Sequence, residues 1–160
     1  MVELRVDRIV EPGGIEASRE LVMHPGSVVV LPVFPDGRVI LVRQFRYAAQ
    51  RTLWELVAGG LEPREKPFQA AGRELQEETG YRARRFKPLF SFFPSPGILA
   101  ERMHLVMAQD LTPGEARPEE DERLEVRIFK RAELAKKLRE KKIEDAKTLI
   151  GLMWLFRHGL

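Results

Sequence analysis

The octet RELQEETG, Arg73 to Gly80, puts carboxylates where a helix can least use them. Arg73, Leu75 and Gln76 are good helix formers, and Gly80 is a ready helix stop. Glu74, Glu77 and Glu78 then crowd the last turns, at the negative end of the helix dipole, at a cost of about 0.3–1 kcal/mol each. Glu74 and Glu78 stand at i,i+4 and repel by a further ~0.2–0.5 kcal/mol. Carboxylates converging on one face make a site for a hard divalent cation. Mg2+ binds through a few such groups together with waters and substrate phosphates. Arg73, at i−4 from Glu77, can hold that carboxylate in orientation. An isolated pattern of this kind is more often a solvated acidic face. Here an AGG turn and Glu65 precede the acids, and Gly80 follows at once.

The elements that must position these acids are legible nearby. Pro67 opens the helix, where its missing N–H costs nothing, and the helix is expected over Pro67–Thr79. Phe68, Ala71 and Leu75 are expected to face the core. SVVVLPVF, residues 27–34, reads as a buried strand; PDG is a hairpin turn; RVILVRQF, residues 38–45, is the return strand. LWELVAGGLEP is a short strand running into a Gly-rich turn. Further strands are expected at FKPLFSFF, MHLVMAQD and LEVRIF. Helices are expected at about residues 132–142 and after the N-cap candidate Asp145. Strands interleaved with helices indicate an α/β sandwich. Residues 1–25 are expected to form a β arm that pairs at home or packs on a partner chain.

Composition sets the outer bounds. The chain has 160 residues, enough for a single domain over 1–160 with a real core. With 44% hydrophobic and 32% charged residues it is globular. Zero Cys excludes disulfides, thiolate catalysis and Cys-based zinc sites. No apolar run is long enough for a membrane span, and no signal peptide is visible, so a cytoplasmic enzyme or binding module is expected. The formal net charge of +3 invites a nucleic-acid reading. No helix-turn-helix, zinc-finger or RNP pattern supports it, and attraction of a phosphorylated small molecule is the simpler account.

Gly59, Glu65 and RELQEETGY stand at the spacing G-x5-E-x7-R-E-U-x-E-E-x-G-U, with U a bulky apolar residue. This resembles the Nudix box, with Tyr81 where an aliphatic residue is more usual. The resemblance implies a Nudix α/β/α sandwich with a mixed β-sheet and hydrolysis of a nucleoside diphosphate linked to another moiety. It implies Mg2+, with Mn2+ as an alternative, held by Glu74, Glu78, Glu77 and the carbonyl of Ala58. Glu65 becomes a ligand or a supporting partner, and Arg73 the orienting partner of the acids.

Outside the box, HPGSVVVLPV with LVRQFRYA, WELVAGGLEP, PSPG, PEEDERLEV and DAKTL resemble the ADP-ribose pyrophosphatase group. Val57 departs from the proline usual in the third of these. Pro96 stands where that group carries a marker proline. The resemblance implies ADP-ribose as substrate, with AMP and ribose 5-phosphate as products. A general base is expected in the acidic loop, at Glu120 or Glu122; alone, these would read as a solvated charge run. Arg43 and Arg46 flank Phe45 on opposite strand faces and can pair with a diphosphate or stack on adenine, or be ordinary surface arginines. Glu55 and Glu62 can hydrogen-bond adenine or ribose, and Glu101 is a weaker candidate contact. Trp54, Phe92 or Phe93 can stack on a base, though each is more often core. The resemblance also implies a homodimer formed through the N-terminal strands. Rival readings are a hydrolase of GDP-mannose-like sugar nucleotides or diadenosine compounds, and a non-catalytic ADP-ribose sensor.

Overall fold

A computed structural model describes residues 3–117 and 123–159. In chain order the strands are β1 (Glu3–Val10), β2 (Glu16–Met23), β3 (Ser27–Pro32), β4 (Val39–Arg46), β5 (Arg51–Glu55), β6 (Val57–Gly60), β7 (Arg82–Phe92), β8 (Met103–Thr112) and β9 (Glu125–Phe129). The helices are α1 (Pro67–Thr79), α2 (Arg131–Arg139) and α3 (Ala146–His158). A mixed sheet runs β6-β3-β8-β7, with β3 and β8 parallel and the other pairs antiparallel. An antiparallel sheet runs β5-β4-β9, and β1 and β2 pair with each other as a hairpin.

β3 is buried along its whole length because helices cover both of its faces. Val28 and Val30 pack with Ala70, Ala71 and Leu75 of α1. Val29 and Leu31 point the other way, into the cluster with Leu134 of α2 and Leu152 and Leu155 of α3. Alternation along one strand thus feeds both layers of an α/β/α sandwich.

The PDG turn forms as expected: Gly37 N–H donates to Phe34 O and Phe34 N–H to Arg38 O, both at 2.9 Å. The strands it joins do not pair along their length. Only a bridge between Val33 and Val39 forms, after which β3 and β4 enter different sheets. The reason is edge occupancy: β6 and β8 already take both hydrogen-bonding edges of β3. The chain changes sheet again at Leu56, between β5 and β6. There the ladder is interrupted, and the buried Leu56 N–H donates to Thr148 Oγ1 at 2.7 Å instead.

α1 has the expected limits, with Pro67 at its start and Gly80 in the left-handed region at φ 75° behind it. Its buried stripe is Ala70, Ala71, Glu74, Leu75 and Glu78. Phe68 does not belong to it. At the margin of the stripe, Phe68 is 49% exposed and borders a shallow hollow with Pro88, Phe90 and His104. α2 ends three residues short of the expected limit, where Lys141 adopts φ 54°.

Candidate active site

Glu74 and Glu78 lie on the buried stripe of α1, so the same periodicity that builds the core carries these acids inward against β6. The close approach is specific to Gly59. A Cβ on that residue would fall 1.9 Å from Glu74 Oε1, so only a glycine leaves room for the carboxylate where it stands. The Ala58 N–H donates to Glu78 Oε1 at 3.4 Å, which ties the second acid to the same turn.

Arg73 is the hub. Its Nε and Nη2 grip Glu65 at 3.0 and 2.9 Å. Its Nη1 donates to Glu74 Oε1 at 2.7 Å and to Glu77 Oε2 at 3.1 Å. Nη2 also reaches the Gly60 carbonyl at 3.0 Å. The guanidinium therefore sets Glu65, Glu74, Glu77 and the glycine turn in one register. Hydrogen bonds to Glu65 dominate, and the charge of Glu74 adds to them, raising the Arg73 pKa further above its ordinary value. The Arg73 hydrogen bonds in turn hold Glu65 below the usual carboxylate range.

The donor set is all oxygen: the carboxylates of Glu65, Glu74 and Glu77 share Arg73 as their hub, and Glu78 joins them through the Ala58 N–H. That excess of negative charge on hard ligands fits a divalent cation such as Mg2+. Among the described residues, no three acidic or imidazole side chains already stand at the mutual distances of a ligand cluster. Arg73 draws Glu74 and Glu77 to itself, so seating a cation would require these side chains to re-aim. Glu74 and Glu78, which meet the turn at Gly59 and Ala58, are carboxylates that could hold it.

The loop after β8 returns to this helix end. Arg117 N–H donates to the Glu77 carbonyl at 3.0 Å, and Gly114 and Ala116 pack against Gly80. The expected bases Glu120 and Glu122 lie outside the described residues.

The remaining candidates separate into distinct places. Glu62 is exposed, 3.9 Å from Arg73. Glu101 is buried; it accepts from Ser27 Oγ and lies 3.6 Å from His24 Nδ1. Ser27 is paired with Gly60 across β3 and β6, so Glu101 stands beside the glycine turn. Pro96 lies exposed in a turn closed by Ser95 O, which accepts from Leu99 N–H at 2.9 Å. Arg43 pairs with Glu125 at 3.2 Å and lies over Trp54. Trp54 itself packs edge-on against Phe129, and Phe92 packs against the core, while Phe93 is exposed. Arg46 points elsewhere than Arg43: it grips Glu55 through two hydrogen bonds of 2.8 and 2.7 Å. Glu55 is 1% exposed and also accepts from Lys147, so its carboxylate is committed inside the protein. Asp145 caps α3 as expected, but its contact with Lys147, and Lys147 itself, were not singled out from sequence. The only signal for Lys147 was the resemblance of DAKTL to a family segment.

With this geometry in place, comparison with known proteins decides the family. The NUDIX domain model matches residues 23–150. The chain belongs to the NUDIX family. A protein of Bacillus subtilis (strain 168) named ADP-ribose pyrophosphatase is 38% identical over 157 residues, covering 97% of this chain and 85% of that one. A Bacillus methanolicus protein named methanol dehydrogenase activator is 37% identical over the same length and shares. A solved structure titled as an ADP compounds hydrolase aligns with TM-score 0.84 at 24% identity, covering 99% of this chain and 94% of that one, which establishes the shared Nudix fold.

Proposed function

We propose that this Nudix hydrolase cleaves the diphosphate bond of ADP-ribose with Mg2+, giving AMP and ribose 5-phosphate. The observation that carries the reading is the Arg73 hub with Glu74 seated against Gly59, in a chain that aligns along 97% of its length with a relative named for that activity. A bound divalent cation supplies neutralisation of phosphate oxygens and acidification of water. The protein's own groups do the rest. Glu74 and Glu78, with the Ala58 carbonyl, provide the oxygen ligands, and Arg73 keeps Glu65, Glu74 and Glu77 in register. Arg46, within electrostatic reach of Glu78, offers a guanidinium to the diphosphate. A carboxylate of the acidic loop, Glu120 or Glu122, accepts the proton of the attacking water. The anchoring of Arg117 on Glu77 supports this choice, because the loop begins at the acids themselves.

The test is kcat/KM across a panel of ADP-ribose, a GDP-sugar and a diadenosine polyphosphate with Mg2+, on the parent protein and Glu78→Gln. ADP-ribose should be preferred, and the variant should lose at least about a hundredfold in kcat. A preference for another panel member would replace the substrate; an unimpaired variant would remove Glu78 from the ligand set.

The working unit in this reading is a homodimer. Leu4, Val6, Val10 and Ile15 of the N-terminal hairpin are 64–80% exposed, an apolar surface suited to a second copy. Sedimentation should give a dimer that Leu4→Glu/Val6→Glu dissociates; a parent protein that stays monomeric at micromolar concentration rejects it.

A further inference from the structure

A second charged network is built on Glu55, the residue just before the Leu56 sheet switch. Asp145 caps α3, accepting from Thr148 N–H at 2.9 Å, and also receives Lys147 Nζ at 3.0 Å. Lys147 Nζ donates in turn to Glu55 Oε2. Glu55 then holds Arg46 side-on through Nε and Nη2. Burial is deepest at Glu55, in the middle of this chain of contacts: its side chain is 1% exposed, with Lys147 at 9% and Asp145 at 15% on one side and Arg46 at 43% on the other. The inner members are sequestered, and the outer guanidinium reaches solvent. Among the described residues no group bonds Nη1 of Arg46, so that edge is left for a ligand. Arg46 also lies within electrostatic reach of Glu78.

Buried ion networks add little stability over apolar packing of the same shape, whereas they fix geometry. A lone arginine on a strand end samples many rotamers. One gripped side-on by a carboxylate that is itself fixed from behind has a single orientation, and less is lost when it meets a phosphate. We propose that Lys147 is a positioning residue for substrate binding: with Asp145 behind it, it locks Glu55, and Glu55 presents the Arg46 guanidinium to the substrate diphosphate. Glu55 thereby acts through Arg46 and not by touching adenine or ribose. The proposal rests on the assignment of Arg46 to the diphosphate made above.

A double-mutant cycle on kcat/KM for ADP-ribose tests it, using Lys147→Met, Arg46→Ala and the pair, below the melting temperature of all four proteins. Lys147→Met should lose about tenfold to a hundredfold, mainly through KM. In the Arg46→Ala background the same substitution should lose less than about twofold, because nothing remains to position. Equal losses in both backgrounds would mark Lys147 as merely structural and overturn the proposal, as would no loss in either. If Lys147→Met melts too low to assay, Lys147→Gln, which keeps a donor but is one atom shorter and uncharged, should show the same non-additivity. An Arg46→Ala protein with full activity would overturn the proposal while leaving the hydrolase reading intact. If the parent prefers another panel substrate, the cycle on that substrate separates the two readings.

Discussion

At the scale of single residues, the site turns on a missing side chain. Glu74 can lie where it does because position 59 has no Cβ. An added methyl would meet the far end of a flexible side chain, not backbone, so the carboxylate swings away and the turn stays. Gly59→Ala should therefore lose about a hundredfold or more in kcat while its cation-free melting temperature stays close to the parent's. The rise in melting temperature that Mg2+ gives the parent should shrink in the variant, since linkage scales with affinity. A variant that melts far lower without cation, or keeps its activity, would sink the argument. The acids and Arg73 were legible in sequence because the helical period fixes which of them share a face. The Glu55–Lys147 pair was not, because its members are far apart in the chain and meet only through the fold. The family resemblance offered Glu55 as a contact for adenine or ribose; its burial is a property of packing, and no local pattern reveals it.

At the scale of elements, α1 is over-determined and its neighbours are not. Pro67, the apolar stripe and Gly80 all agree on its limits, and the structure follows them. The hairpin reading of β3 and β4 failed for the opposite reason. Turn chemistry fixes the turn, but which strands pair depends on who else occupies the edges, and β6 and β8 arrive from far along the chain. The C-terminal end of α1 joins two functions. Gly80 ends the helix at φ 75°, and a Cβ there would lie 2.7 Å from Ala116 N and 3.0 Å from Gly114 O. Both the left-handed backbone and the contact with backbone atoms oppose a side chain. Gly80→Ala should lower the melting temperature by several degrees and reduce kcat as well, because the loop that carries the base candidates is displaced from Glu77. Loss of stability with unchanged kcat would detach this loop from the chemistry.

At the scale of the whole molecule, the buried network and the Arg73 hub give the fold a definite response to acid. Burial works to raise the Glu55 pKa, but the hydrogen bonds from Arg46 and the charge of Lys147 outweigh it and hold it below the usual range. Hydrogen bonds from Arg73 hold Glu65 low in the same sense. A group with a depressed folded pKa contributes stability above its unfolded value, about 4.3 for glutamate, and loses it as pH falls through the folded value. His104 adds a shallower decline at higher pH: burial lowers its pKa, so the unfolded chain takes up the proton first, from about 6.5 downward. The melting temperature should be flat above pH ~7, drift down slightly towards ~5 and fall steeply below ~4. Protonating Glu55 leaves Arg46 and Lys147 facing a neutral group, one of them buried, which makes Glu55 the larger contributor. Glu55→Gln should accordingly start from a lower plateau and show a flatter acid limb, with the His104 drift retained. Thermal melts of both proteins across pH 3–8 decide it: parallel acid limbs would mean that the network is not what acid dissolves, and the fall would then belong to the carboxylates around Arg73.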